Sequence, residues 1–176
     1  AAAANREGDP EGASLVVLDV KTGSGAIMHT LEGSIELGKA MVDIGTLAGK
    51  PVTAIVTGMQ EPLGTHVGNA LEVKDAIDVL AGRTQGDLLE ISLLLGSHML
   101  VLAEKAKTLP EARAMLENAL SSGAGLRKLA EMIAAQGGDP RVVEDLSLLP
   151  QAAVKRVMRA ETAGYLSAMD TTALGM

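Results

Sequence analysis

Cysteine, tryptophan and phenylalanine are absent from the 176-residue sequence, and Tyr165 is its single aromatic residue. Without cysteine the chain forms neither disulfides nor thiolate metal sites, which fits a reducing, cytoplasmic location. The scarcity of aromatic rings disfavours recognition of single-stranded nucleic acid by base stacking. The hydrophobic core must therefore consist of Leu, Val, Ile, Met and Ala side chains.

Basic charge is also scarce: 15 Lys and Arg residues stand against 22 Asp and Glu residues, a formal net charge of −7. An acidic chain with no basic block argues against a nucleic-acid partner. The sequence predicts neither a signal peptide nor a membrane-spanning run, so we expect no membrane partner. With 47% hydrophobic and 21% charged residues, the chain is predicted to be globular.

A short buried strand and the small-residue stretch after it organise the rest of the chain. Residues 15–18 form an apolar run that is β-branched in the middle, and residues 22–26 read TGSGA. Helical spacing over 30–48 and a second apolar run at 52–57 follow. Strand, helix and strand of these lengths make a βαβ unit with a parallel sheet. Ligands bind beyond the carboxyl ends of such strands, so we expect a site near residues 19–28.

The fold class predicted is α/β: a parallel βαβ sheet with several packed helices and the start of a C-terminal β-hairpin region. Thr108 gives the clearest helix start, because it can cap the helix while Glu111 closes a capping box. The other helices are predicted from 70 to about 81, from 84–87 through 102, and from about 126 to 136. The hairpin is predicted from the runs at 154–160 and 165–169.

Three parts are predicted along the chain. Residues 1–14 are the end of a helix, a disordered leader or a remnant of cloning. Residues 15–150 form the α/β domain. Residues 151–176 begin a β-rich subdomain, and the chain ends as another element starts, which predicts truncation.

The sequence alone indicates binding residues but no catalytic group. Gly23 and Gly25 follow a strand as in a dinucleotide-binding loop, but Met28 stands where the third glycine belongs, which disfavours NAD-type binding. Asp19 and Lys21 share one face of the strand, either as an ion pair or to position a ligand or order the loop. No nucleophile–base pair is recognisable, so we predict no catalytic residue.

A metal site has little support from spacing. The three histidines do not cluster, which disfavours zinc. Asp75 belongs to an acidic series at 72, 75 and 78 that predicts a solvated helix face. A carboxylate that reaches back to the preceding loop would instead suit a hard cation.

Several segments resemble those of pyrimidine-nucleoside phosphorylases and thymidine phosphorylases, in matching order. Residues 19–28, DVKTGSGAIM, resemble the family segment DVKxGSGAFM. Residues 59–76, MQEPLGTHVGNALEVKDA, resemble DMxxPLGxxVGNALEVxEA. Shorter matches follow at 98–103, 132–140, 163–165 and 169–176. The resemblance covers about residues 11 to 176.

The resemblance implies reversible phosphorolysis, in which phosphate displaces the base of a pyrimidine nucleoside and gives a pentose 1-phosphate. No redox cofactor is required. Members of the family combine a small helical domain with a large α/β domain around a cleft, and are usually homodimers. The partners expected of the intact protein are thus a pyrimidine nucleoside, phosphate and a second subunit.

The chain departs from the family pattern in its upstream motifs. The family's glycine-rich phosphate loop and base-binding Arg have no counterpart here, and Ala3 and Glu7 stand at its SxxxK pair. We therefore expect a segment of a phosphorylase that is inactive alone, and leave open whether this chain is an enzyme. The alternative is a non-catalytic α/β binding or scaffold protein, or an engineered subdomain of that family.

Two sites follow from the resemblance. Ile27 falls where the family lines its pocket beside the pyrimidine 5-position, and we expect Lys21, Gly25 and Ile27 to contact substrate. A structural monovalent or divalent cation would be held by the backbone oxygens of Leu63 and His66 and by the carboxylate of Asp75. Asp75 is shorter than the family's Glu, which weakens this second prediction.

Overall fold

The computed structural model describes residues 2–4 and 13–176, and its centre is a βαβ unit. Strand β2, Leu15–Thr22, and strand β3, Val52–Gly58, pair in parallel, with Val16 opposite Val52 and Thr22 opposite Gly58. Helix α1, Leu31–Leu47, connects them. The predicted α/β fold and its parallel βαβ unit are confirmed.

A third strand, β1, Ala2–Ala4, pairs antiparallel with β2 and makes the sheet order β1-β2-β3. The prediction of a helix end is therefore wrong for residues 2–4. These residues instead pair the backbone groups of β2 that would otherwise lie open at a sheet edge. Residues 1 and 5–12 of the predicted leader lie outside the described residues.

Strand β2 is covered on both faces. Leu15 and Val17 point to one face and Leu18 and Val20 to the other, and all four are buried. Helix α1 lies against β2 and β3, while helix α3, Asp87–Leu102, lies against β1 and β2.

Small residues bring α1 close to the sheet. A Cβ atom at Gly45 would overlap the side chain of Val52, and one at Gly38 would lie 3.4 Å from the Cβ of Ala54. Ser34, in the first turn of α1, is buried, and its hydroxyl donates to the backbone oxygen of Thr30. The glycines that weaken this helix on propensity are thus explained by packing.

The remaining helices follow the sequence prediction to within about two residues. They are α2, Asn69–Leu80; α3; α4, Leu109–Ser121; and α5, Ala124–Ala135; then come 3-10 turns at Pro140–Val143 and Leu146–Leu148 and the short helix α6, Thr171–Gly175. Thr108 caps α4 as predicted, with its Oγ1 accepting from the backbone N of Glu111. The Glu111 carboxylate accepts from the backbone N of Lys107, one residue before the position that a capping box requires.

The predicted C-terminal hairpin is not formed. Residues 151–170 contain no strand, and residues 151–168 are all exposed, as at Val157 and Tyr165. An isolated two-stranded hairpin is marginal in water, and the exposure of residues 151–168 leaves such a hairpin without a supporting surface. The division at residue 150 stays a prediction. No helix within residues 2–4 and 13–176 is long and apolar enough to cross a membrane.

Candidate functional site

The loops after β2 and β3 meet at one edge of the sheet, as the parallel arrangement predicts. We call residues 23–28 the glycine loop. The backbone N of Gly25 donates to the carbonyl oxygen of Met59 at 2.9 Å, and Met59 N donates to the oxygen of Thr22 at 2.7 Å. Gly23 has φ +129°, and a Cβ there would lie 2.9 Å from the backbone N of Gln60. Only glycine fits this close crossing of two loops.

A cavity of about 340 Å³ opens beside the glycine loop and carries the three residues predicted to bind substrate. Ile27 is 93% exposed, so its side chain is not part of the core. Lys21 and Gly25 lie on the same wall. Their contact with a substrate stays a prediction. The lining residues are Leu18, Asp19, Val20, Lys21, Gly25, Ala26, Ile27, Met28, Leu37, Met41 and Met59.

Other lining residues were not singled out from the sequence. Leu37 and Met41 are one helical turn apart on α1, and their spacing predicts only a core-facing stripe. Met59 follows β3 and reaches the cavity because β3 ends beside β2. A rule that searches for ligand residues past every parallel strand would have found Met59 but not the two α1 residues.

Asp19, Lys21 and Thr57 form a closed polar group at the cavity wall. The Lys21 Nζ atom lies 2.8 Å from Asp19 Oδ2 and donates to Thr57 Oγ1 at 2.7 Å. Thr57 Oγ1 donates to Asp19 Oδ1 at 2.5 Å. The ion pair predicted from spacing is confirmed. Because Asp19 balances the Lys21 charge, this wall offers a fixed donor and not a free cation.

The loop after β3 is held by Asp75 of α2. Its Oδ2 accepts from the backbone N of Thr65 at 2.9 Å and of His66 at 3.0 Å. Its Oδ1 accepts from Thr65 Oγ1 at 3.0 Å and from His66 Nδ1 at 2.6 Å. A carboxylate only accepts hydrogen bonds, so His66 Nδ1 carries a proton. A Cβ at Gly64 would overlap Asp75 Oδ2, which explains the glycine there.

The same contacts set the protonation of Asp75. Burial alone would raise the pKa of its carboxyl, but the hydrogen bonds from His66 and Thr65 outweigh burial and hold the pKa below its ordinary value. Asp75 is therefore ionised at neutral pH, and its carboxylate accepts four charge-assisted hydrogen bonds from the loop.

The predicted cation ligands come together, but Asp75 has no acceptor position left. Leu63, His66 and Asp75 line a second cavity of about 320 Å³. A carboxylate has about four lone-pair positions, and the loop fills four in this arrangement. A cation on Asp75 would have to displace donors of Thr65 or His66. Within residues 13–176, no three His, Asp or Glu side chains cluster as a metal site. Cation binding stays a prediction.

Comparison with known proteins places this geometry in a family. Residues 9–126 match the glycosyl transferase family, a/b domain, and the chain belongs to that family. The pyrimidine-nucleoside phosphorylase of Geobacillus stearothermophilus is 51% identical over 164 residues, which are 93% of this chain and 38% of that protein. The Bacillus subtilis (strain 168) pyrimidine-nucleoside phosphorylase is 49% identical over 165 residues, 94% of this chain and 38% of that protein.

The resemblance seen in the residues is thus confirmed. The Staphylococcus aureus (strain USA300) pyrimidine-nucleoside phosphorylase gives the same picture, at 48% identity over 165 residues and 38% of its length. The chain spans less than two fifths of the length of these relatives. It corresponds to one segment of proteins of that name.

Proposed function

We propose that this chain forms the base-facing wall of a pyrimidine-nucleoside phosphorylase. In that reaction a phosphate oxygen bonds to the anomeric carbon, and the bond to the base breaks with its electron pair leaving on the base. The single observation that carries the proposal is the exposed Ile27 on the cavity at the carboxyl edge of the sheet. The names of the similar proteins support the choice of substrate.

The wall acts by binding and orientation. Ile27, Met28 and Met59 offer apolar surface to a flat ring, while Lys21 is held in place by Asp19 and Thr57. An apolar wall with a few fixed polar groups is the usual composition of a small-molecule site. The residues of this wall include no nucleophile–base pair, so their part in the reaction is to position the base.

The chain alone is proposed to be inactive. The charge of Lys21 is balanced by Asp19, so the described cavity offers no uncompensated cation for phosphate. Transfer to phosphate needs positive charge or backbone N–H groups aimed at the anion. We further propose that the intact protein is a cytoplasmic homodimer, on the strength of the family resemblance.

The binding part is tested by NMR titration of the ¹⁵N-labelled chain with thymine and with uracil. We expect the amide signals of Gly25 and Ile27 to shift and Ile27→Ala to weaken the response. Val157→Ala is the matched control, because Val157 is an exposed aliphatic residue far along the chain. If neither base shifts these signals, the non-catalytic scaffold alternative is favoured.

The activity part is tested by incubating the chain with thymidine or uridine in phosphate. We expect no release of free base, while the Geobacillus stearothermophilus relative serves as the positive control. Base release by this chain alone would contradict the proposed inactivity without affecting the binding result.

A further inference from the structure

The C-terminal residues return to the glycine loop after a long exposed stretch. Residues 151–168 are all exposed, whereas Thr171 is buried. We call residues 169–172 the C-terminal anchor. It reaches a loop that lies near the start of the sequence and contains Gly25 and Ile27 of the candidate site.

Hydrogen bonds join the anchor to both loops of the sheet edge. Thr171 Oγ1 donates to the carbonyl oxygen of Gln60 at 2.8 Å, and Thr172 Oγ1 donates to that of Ser24 at 2.9 Å. The Ser24 hydroxyl lies 3.4 Å from the Met169 oxygen and 3.3 Å from the Gln60 oxygen. Ser24 N donates to Gln60 Oε1 at 3.1 Å. The anchor therefore closes a ring of contacts around Ser24 and Gln60.

The packing of Thr171 against Gly25 is independent evidence that the anchor lies against the glycine loop. A Cβ atom at Gly25 would lie 2.8 Å from Thr171 Cγ2 and 3.1 Å from Met59 Cγ. The absence of a side chain at Gly25 is thus explained by the approach of the Thr171 methyl group. Gly25 lies two residues before Ile27 in the same loop. The contact with Thr171 therefore restrains where the glycine loop lies beside the cavity.

The anchor and the loop depend on each other. Helix α6 has five residues, too few for an isolated helix to persist in water. Asp170 caps it, with its Oδ1 accepting from the backbone N of Ala173 at 2.9 Å. The contacts with Ser24 and Gln60 supply what the short helix lacks, and in return they restrain the loop.

We infer that Thr171 and Thr172 are positioning residues that hold the glycine loop against the loop after β3, and so set how tightly the cavity beside Ile27 binds a pyrimidine base. The affinity part rests on the proposed function. The restraint of the loop does not, because it follows from the contacts of the chain with itself.

Hydrogen exchange of the amides of Ser24 and Gly25 tests the restraint. Thr171→Val keeps the shape of the side chain and removes the hydroxyl donor to Gln60. We expect exchange at both amides to become about five- to tenfold faster, as loss of one buried hydrogen bond predicts, with no change at Val17 in β2. Thr171→Ser keeps the hydroxyl and should restore slow exchange.

Two further variants keep the test decisive. Thr162→Val is the matched control, because Thr162 lies in the exposed stretch before the anchor, and it should leave exchange unchanged. Thr172→Val alters an exposed residue and should also speed exchange, so it replaces Thr171→Val if that variant fails to fold. Wild-type exchange rates in folded Thr171→Val and Thr172→Val, or no recovery with Thr171→Ser, would overturn the inference.

The affinity part is measured by titrating the same variants with thymine. We expect Thr171→Val to weaken binding about threefold or more and Thr171→Ser to restore it. If the wild-type chain binds thymine and Thr171→Val binds it with the same affinity, the affinity claim alone is overturned. A wild-type chain that binds no base would overturn the proposed function and the affinity claim together, while the exchange result would still decide the restraint.

Discussion

Asp19, Lys21 and Thr57 illustrate at the scale of residues what a sequence can and cannot predict. The period of a strand puts residues 19 and 21 on one face, so their ion pair was predictable. Thr57 stands on the neighbouring strand, and its place in the group depends on the register that sets Lys21 opposite Thr57. Register follows from packing of the whole sheet and is not written in the spacing of one segment.

The same distinction holds for Asp75. Its spacing allowed either a solvated stripe or a carboxylate that reaches the preceding loop, and the structure shows the second. Thr65 and His66 could not be assigned as its partners from sequence, because the turn of the loop decides which groups point inward. A cation could bind the Asp75 carboxylate only by displacing hydrogen-bond donors of Thr65 or His66.

Asp75→Asn should lower the free energy of unfolding by about 2–3 kcal/mol at neutral pH, because hydrogen bonds to a buried charge are lost. Urea denaturation measures this loss. Asp43→Asn is the matched control: Asp43 is exposed on α1, and such surface changes stay within about 0.5 kcal/mol.

The loss at Asp75 should also depend on pH. The pKa of its carboxyl is lower in the folded chain than the ordinary value of 3.8, so folding favours the ionised form. This contribution is complete above the ordinary value and is lost as the pH falls through the lower, folded pKa. The difference between wild type and Asp75→Asn should therefore shrink on acidification. A constant difference from pH 7 to pH 3 would contradict the role given to the carboxylate.

At the scale of elements, local signals predicted what local physics controls. Helix α4 begins where Thr108 caps it, and the ends of α1 and α2 follow their apolar spacing. The hairpin over 154–169 failed because strand propensity needs a neighbouring surface, and these side chains have none in the described chain. The sheet pairing of residues 2–4 was missed for the complementary reason: an Ala-rich stretch has no strand pattern of its own.

Two glycines of α1 offer a test of how the helix packs. Gly45→Ala would overlap Val52 and should destabilise the chain by about 1–3 kcal/mol. Gly38→Ala places its Cβ at ordinary contact distance from Ala54 and gains up to about 1 kcal/mol of helix propensity, so it should be neutral or stabilising. Thermal unfolding of the two variants measures both effects. Equal effects of the two substitutions would show that the spacing between α1 and the sheet does not govern stability.

At the scale of the whole molecule, α1 presents apolar residues to solvent. Ile44 and Leu47 are 65% and 90% exposed on the described surface. Exposed apolar groups on one helix commonly mark a contact surface. We expect the chain to associate as its concentration rises, and Ile44→Lys with Leu47→Lys to reduce this association in sedimentation velocity.

Val154→Lys with Val157→Lys is the matched control for that association, because both valines are exposed outside α1. It should leave association unchanged. A single monomeric boundary for the wild-type chain at all concentrations would count against a contact surface on α1.

The exposed stretch 151–168 has one more consequence, for the covalent integrity of the chain. It carries Arg156 and Arg159 in exposed backbone outside any helix or strand, which is where proteases cut most readily. While the stretch is whole, it supplies the C-terminal anchor to the glycine loop at a high effective concentration. A single cut would turn that intramolecular contact into the binding of a free peptide. Cleavage within the exposed stretch would thereby release the loop at the candidate site.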